Sequence, residues 1–192
     1  MIAHEHVQMI TMKDFVVVFL SALIAAGLLY MSHSLLPLSL SFVLALLLLS
    51  FMGTLVVHLV QKTGMFMIFY GLAGLFTLRL DDIGVLGYKK IVCLMIAALL
   101  FEIVYLVLKF HVHFISFDLV VGSMLSAASV PLISALLITS NFTLQYPLDV
   151  FNLMMLSLVA GLAGSVVACI IWHDVKDRRL FIELDMYLKM VK

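Results

Sequence analysis

Charged side chains are scarce in this sequence. Asp, Glu, Lys and Arg make up 11% of the 192 residues, whereas 65% are hydrophobic. Soluble domains carry about 25% charged residues and are about half apolar. The composition therefore excludes a soluble globular protein and predicts a multi-pass protein of the cell membrane, with the lipid bilayer as its surroundings. The 11 basic and 11 acidic residues cancel, so nothing indicates a nucleic-acid partner.

Cysteine and catalytic motifs are equally sparse. Cys93 and Cys169 both lie inside apolar runs, where we interpret them as small buried hydrophobic residues and not as a disulfide framework or a zinc site. The sequence has no nucleotide-binding loop, no H-E-x-x-H zinc helix, no paired intramembrane aspartates and no Ser/His/Asp set at a common depth. We therefore predict neither an ATPase nor another enzyme, and no cofactor.

Long apolar runs dominate what the sequence does contain. A helix needs about 20 apolar residues to cross a bilayer core. Six runs qualify or nearly qualify, the third being short: 15–31, 35–60, 64–78, 91–108, 119–139 and 150–172. They do not alternate with period two, as barrel strands would. The predicted fold is all-α, with six transmembrane helices over residues 1–172, and the first run is interpreted as a retained span and not a signal peptide.

Residues 173–192 are predicted to form a separate cytoplasmic tail. Its apolar side chains recur at helical spacing, which indicates a short amphipathic helix. The stripe consists of Leu180, Leu184, Tyr187, Leu188 and Val191. Such a helix suits either the membrane surface or a cytoplasmic partner.

The distribution of Lys and Arg predicts the orientation. With six spans, eight of these residues fall on the side of the two termini and three on the other side. Because cytoplasmic segments carry the excess of positive charge, both termini are predicted to be cytoplasmic. Residues 79–90 then form the longest external loop.

Small residues recur along the first apolar run. Ala22 and Ala26 lie four residues apart and would share one helix face. Small faces let two membrane helices approach closely. The face suits either packing against another helix of this chain or docking of a partner membrane protein.

Two stretches resemble the substrate-binding S components of energy-coupling factor (ECF) transporters, which take up vitamins and other micronutrients. The first is ALIAA, residues 22–26, which matches an A-x-x-x-A face in the first helix of that family. The second is GMFMIFYGLAGLFTLRLDDIGVLGYKKIVCLMIAALLFEIVYLVL, residues 64–108. The resemblance implies that Ala22 and Ala26 dock a transmembrane coupling subunit, that separate ATPases supply the energy, and that the chain itself binds the solute.

The resemblance also implies an outward-facing substrate pocket lined by external loops. The residues that could line it are Asp81, Asp82, Tyr88, Lys89, Gln145, Tyr146, Asp149 and Asn152. The alternative is that 81–90 is a solvated loop whose charges cap two helices.

Two His-x-His pairs were weighed as metal ligands. His4 and His6, and His111 and His113, could each chelate a metal in an extended segment. Both pairs fall on the predicted cytoplasmic side, where an uptake protein would not capture its substrate. We predict no metal site and interpret these residues as interfacial.

Two functions therefore compete at the level of sequence. The first is capture of a small solute for an ECF-type importer. The second is a non-catalytic scaffold or accessory subunit, resembling the rod-shape-determining membrane proteins. Glu102, a carboxylate within an apolar run, is predicted to have a structural or coupling role, with a proton or ion site as the alternative.

Overall fold

The computed structural model describes residues 10–108, 111–112, 115–138 and 146–176. These residues form six helices, α1 (Met12–Leu35), α2 (Leu38–Val60), α3 (Met65–Phe76), α4 (Tyr88–Val107), α5 (Phe117–Ile138) and α6 (Tyr146–Val175). A two-residue antiparallel ribbon, β1 (His111–Val112) with β2 (Ile115–Ser116), lies between α4 and α5. Each predicted run coincides with one helix, so the all-α prediction is confirmed. The predicted tail helix lies almost wholly outside the described residues.

Five of the six helices are long and apolar enough to cross a membrane. The exception is α3, whose 12 residues extend only about 18 Å, less than the roughly 30 Å of a hydrocarbon core. The third predicted run was the shortest, and the structure shortens it further at its carboxyl end, where α3 stops at Phe76.

The helices form one bundle in which α2 has the most neighbours. Helix α1 packs on α2 and α3, α4 lies between α3 and α5, and α6 lies between α5 and α2; α2 also contacts α3 and α5. We call the end at which α1, α3 and α5 begin the terminal end. The opposite end, which carries residues 77–87, is the loop end.

Aromatic rings fill the centre of the bundle. Phe66 on α3 stacks on Phe101 of α4 with ring centroids 3.7 Å apart and planes inclined by 7°. Phe69 and Tyr70, on the same face of α3, are fully buried. These rings let the short helix α3 fill as much of the interior as a longer helix of smaller residues would.

Two glycines of α6 set its distance from the neighbouring helices. A Cβ atom on Gly164 would lie 2.5 Å from the carbonyl oxygen of Leu47 on α2, and one on Gly161 would lie 2.7 Å from the Cβ of Ala127 on α5. Real side chains do not come this close. Glycine at both positions therefore permits the backbone contact that van der Waals packing favours between membrane helices.

The outer surface of the bundle is apolar. Large hydrophobic side chains such as Leu23, Ile24, Ile103 and Val159 are exposed, on helices whose other faces supply the core. Soluble monomers rarely expose apolar surface on this scale. The outward faces of the long helices are therefore the surface that lipid covers.

Candidate functional site

A fully buried ion pair organises the loop end. Lys90, in the first turn of α4, pairs with Asp82, and both side chains have no exposed surface. The ammonium group of Lys90 also donates to the carbonyl oxygens of Thr77 at 2.9 Å and Leu80 at 3.2 Å. An ammonium group has three N–H donors, so these three acceptors use all of them. The pair holds residues 77–82 against the start of α4.

Two carboxylate oxygens at this end are left without partners. The Oδ1 atom of Asp81 and the Oδ2 atom of Asp82 are buried and have no hydrogen-bond partner in the described part of the chain. Buried polar atoms are nearly always hydrogen-bonded. Because Lys90 has no donor to spare, these two oxygens stay unsatisfied acceptors, as does the Nδ1 atom of His33 at the same end of the bundle.

Lys89 and Tyr88, the other predicted site residues on α4, differ in their surroundings. The ammonium group of Lys89 donates to the carbonyl oxygen of Leu137 at 3.0 Å. It thereby satisfies a backbone carbonyl near the end of α5 and ties α5 to the start of α4. Tyr88 is 73% exposed. Lys89 thus acts as a cap at the carboxyl end of α5, which is the role that the solvated-loop interpretation gives to the charges of this segment.

The remaining predicted substrate-binding residues belong to the α5–α6 connection and to α6. Asp149 and Asn152 are exposed in the first turns of α6. Tyr146 begins α6, but its side chain and the whole of Gln145 lie outside the described residues. The predicted site residues that the structure describes, Asp81, Asp82, Tyr88, Lys89, Asp149 and Asn152, therefore all lie at the loop end.

Ala22 and Ala26 face the interior of this chain. Ala22 has no exposed surface and Ala26 is 5% exposed, on a helix that packs against α2 and α3. This corresponds to the internal-packing alternative. Docking of a coupling subunit on these two residues stays a prediction.

Glu102 caps a helix that has no cap of its own. The N-cap residue of α3 is Gly64, which has no side chain to accept a hydrogen bond. The carboxyl group of Glu102 lies at the start of α3, near the backbone N–H groups of Gly64, Phe66 and Met67, where it can act as the cap.

The depth of the α3 N-terminus explains why this cap is needed. Glu102 lies five residues before Val107, the last residue of α4, or about 8 Å inside the end of that helix. The first turn of α3 therefore starts within the bundle, where free N–H groups are costly to bury. This position favours the structural interpretation of Glu102, and its structural or coupling role stays a prediction. Ser123 on α5 pairs with Thr54 of α2 at 2.9 Å.

A second ion pair fixes the connection between α2 and α3 at the terminal end. Lys62 pairs with Asp14 at 2.5 Å, and their side chains are 11% and 2% exposed. Asp14 also forms a capping box with Thr11 at the start of α1. The short segment from which α3 begins is thus held by α1 on one side and by Glu102 of α4 on the other.

A cavity of about 210 Å³ opens at the terminal end, between the ends of α2 and α4 and the start of α5. We call it the Asp118 cavity. It is lined by Val57, His58, Gln61, Tyr105, Ser116, Asp118 and Leu119. Asp118 is 3% exposed, and its Oδ1 atom accepts from the N–H of Leu119 at 3.0 Å.

Gln61, which lines this cavity, has an unusual backbone conformation. Its φ angle is 54°, in the left-handed region, and no other non-glycine residue in the described ranges has a positive φ. Glycine normally occupies such a position after a helix. A strained residue costs about 1–3 kcal/mol and is found most often at functional sites.

His58 connects the cavity to α6. Its ring stacks on Trp172 at 5.7 Å between centroids, with planes 13° apart, and its Nε2 atom lies 3.5 Å from the Sγ atom of Cys169. Across the residues that the structure describes, no three His, Cys, Asp or Glu side chains could together hold a metal ion. His4, His6 and His113 lie outside that part of the chain.

The Asp118 cavity could not be predicted from the sequence. Its lining residues come from three helices and the β2 strand, and they are up to about 60 positions apart in the chain. Asp118 lies one residue before the fifth predicted apolar run. A carboxylate is common in the first turn of a helix, so this position did not indicate a site. Gln61 carried no signal, since its backbone angle follows from the tight turn into α3.

The fold and composition define the class: the chain is a helical transmembrane protein, and the part of it that the structure describes contains five helices of spanning length. Comparisons with protein-family models, with curated proteins and with solved structures find no match to this chain. Its particular function is therefore argued from its own residues.

Proposed function

We propose that this chain is a membrane-embedded solute-binding protein whose binding site lies at the loop end. The observation that carries the proposal is the pair of buried, unpartnered oxygens on Asp81 and Asp82. They lie on a segment that the Lys90 ion pair holds in place, so little ordering is required when a solute binds. A solute with N–H or O–H donors would satisfy both oxygens.

We further propose that the solute is imported and that the chain serves as the S component of an ECF-type importer. The resemblance of residues 22–26 and 64–108 supports this, as does the count of Lys and Arg, which favours the loop end as the outer end. Because the sequence contains no nucleotide-binding loop, energy would come from a separate ATP-driven module that includes a transmembrane coupling subunit. The solute is then a small micronutrient.

Native mass spectrometry of the purified protein in a membrane mimetic tests the binding proposal. A small molecule should co-purify with the parent protein and be lost from Asp81→Asn, in which one oxygen is replaced by an NH₂ donor. Asp174→Asn is the matched control, because Asp174 is exposed at the opposite end. Absence of any bound molecule, or equal retention in both variants, contradicts the proposal.

The dense centre of the bundle favours a second candidate, the non-catalytic scaffold or accessory subunit. A scaffold needs helices packed to the middle, and the stacked rings of Phe66 and Phe101 together with the close approach at Gly164 provide that packing. The same mass measurement separates the two candidates. A scaffold gives a complex with other membrane proteins after mild solubilisation and no bound small molecule.

A further inference from the structure

Polar atoms without partners are concentrated at the loop end of the bundle. In the described part of the chain, seven buried side-chain nitrogen or oxygen atoms have no hydrogen-bond partner, and four of them lie at this end. The four are Nδ1 of His33 in the last turn of α1, Oγ of Ser41 in the first turn of α2, Oδ1 of Asp81 and Oδ2 of Asp82. Native proteins rarely leave such atoms unsatisfied, so four at one end indicate that a bound molecule supplies their partners.

The elements that carry these four atoms meet at the loop end. Helix α1 packs on both α2 and α3. The hydroxyl group of Tyr30, one turn before His33, donates to the carbonyl oxygen of Phe76 at the end of α3 at 3.4 Å. Residues 77–82 continue from that point, and the ion pair with Lys90 holds them in place. The end of α1, the start of α2 and the segment after α3 therefore form one side of the proposed solute site.

Ser41 shows most clearly that these atoms are not kept for stability. Its side chain has no exposed surface, and its hydroxyl group has no partner. Burying a hydroxyl group without a hydrogen bond is unfavourable, because the group loses its water and gains nothing in return. Natural proteins break the rule of satisfied polar groups chiefly at functional sites, which favours a role for this hydroxyl group in binding.

The charge balance of the buried groups indicates the kind of solute. Asp81 lies close enough to Lys90 for an electrostatic interaction, but the three donors of the Lys90 ammonium group are used by Asp82 and two backbone carbonyl oxygens. Two carboxylates therefore share one ammonium group, which leaves one negative charge uncompensated. Arg79 is exposed and Lys89 donates to a backbone carbonyl oxygen of α5. A positively charged donor forms the strongest hydrogen bonds with a carboxylate.

We propose that the solute bound at the loop end is a small organic cation. Its ammonium group donates to the free oxygens of Asp81 and Asp82, and other polar groups of the same molecule form hydrogen bonds with His33 and Ser41. This inference rests on the solute-binding function proposed above. It adds the chemical class of the solute and two further residues of the site.

Three molecules of similar size and different charge test the proposal. Ethanolamine is cationic at neutral pH, ethylene glycol is neutral and glycolate is anionic. Binding of radiolabelled ethanolamine to the exhaustively dialysed protein is measured by equilibrium dialysis in dodecyl maltoside micelles, which carry no charge. We expect saturable binding that unlabelled ethanolamine displaces. Ethylene glycol and glycolate should require about tenfold or more higher concentrations for half-displacement, because hydrogen bonds to charged groups are stronger.

The Asp81→Asn variant tests the contribution of the carboxylate. It should raise the dissociation constant for ethanolamine by about tenfold or more, because a charge-assisted hydrogen bond is replaced by a neutral one. Asp174→Asn is the matched control, on an exposed residue at the opposite end, and should leave the dissociation constant unchanged.

The Ser41→Ala variant separates binding from folding. Because it removes a buried hydroxyl group that has no partner, it should unfold no more readily than the parent protein and yet bind ethanolamine several-fold more weakly. Ser34→Ala is the matched control, since Ser34 is exposed at the same end and its hydroxyl group donates to the carbonyl oxygen of Met31 in its own helix. Ser34→Ala should bind ethanolamine as the parent does.

The outcomes distinguish this inference from the function on which it rests. Equal displacement by all three molecules, or parent-like binding by both Asp81→Asn and Ser41→Ala, overturns the cationic class. Where ethanolamine does not bind, the molecule found by native mass spectrometry decides: a cation lost from Asp81→Asn supports the inference, and a neutral or anionic molecule refutes the class alone. Absence of any bound molecule in both experiments refutes the solute-binding function and this inference with it.

Discussion

Removal of the Glu102 side chain should expose how much α3 depends on a cap supplied by another helix. In Glu102→Ala, backbone N–H groups at the start of α3 lose their acceptor, at a depth where water replaces it poorly. Loss of a cap costs about 1 kcal/mol, and each donor left buried and unpaired adds about 1–3 kcal/mol. Because some of these groups can regain water, we expect the free energy of unfolding to fall by about 3 kcal/mol.

Glu102→Gln separates the hydrogen bonds from the charge. The amide keeps one acceptor oxygen but replaces the other with an NH₂ donor, so that one hydrogen bond, worth about 0.5–1.5 kcal/mol, is lost. We therefore expect a loss of about 1 kcal/mol. If the carboxylate has only this structural role, the variant should also retain transport.

Unfolding by sodium dodecyl sulfate in mixed micelles, followed by circular dichroism, measures both losses. Ile103→Ala is the matched control, since Ile103 is the next residue on α4 and is 49% exposed. The capping argument is refuted if Glu102→Ala costs no more than this control. Equal losses in the Ala and Gln variants would refute the weaker claim that the remaining amide oxygen still caps α3.

Three further predictions use the same unfolding measurement. Lys90→Met should lower the free energy of unfolding by about 3–5 kcal/mol, because it leaves Asp82 buried without its partner. The double variant Lys90→Met, Asp82→Leu should recover most of that loss. Additive losses from the two substitutions would contradict a stabilising ion pair. Gly164→Ala should lower the free energy of unfolding by about 1–3 kcal/mol through overpacking against Leu47. Gly27→Ala is the control, because there is open space around the Cβ position of Gly27; it should be neutral or stabilising by up to about 1 kcal/mol. Equal effects of the two substitutions would show that α6 can shift to accommodate the added methyl group. A double-mutant cycle on Asp14 and Lys62 should give a coupling free energy of about 0.5–3 kcal/mol. A coupling free energy near zero would mean that the ion pair does not stabilise the α2–α3 connection.

Much of the fold could be predicted because transmembrane helices are local features of a sequence. Each apolar run forms its own backbone hydrogen bonds in lipid, so its length and composition suffice to predict a helix. The position of Glu102 within the fourth apolar run is likewise evident from the sequence. Its partner could not be predicted, because the sequence does not show that α3 begins inside the bundle.

The candidate sites were less predictable, since their chemistry depends on which helices are neighbours. Lys90 was counted as a charge of the external loop, yet the structure buries it with Asp82. Asp81 was predicted as a site residue, but only the three-dimensional structure shows that one of its oxygens lacks a partner. The lining of the Asp118 cavity comes from separate helices, and no short stretch of the sequence contains it.

The sequence by itself determined that this protein is an all-helical membrane protein and where its helices lie, because hydrophobicity and backbone hydrogen bonding act over neighbouring residues. Only the tertiary structure decided what its few charged groups do. Glu102 caps α3, Lys90 neutralises Asp82, and Asp118 lies beside a cavity, since in an apolar bundle each charged group is stabilised by whichever polar groups the packing of distant helices places next to it.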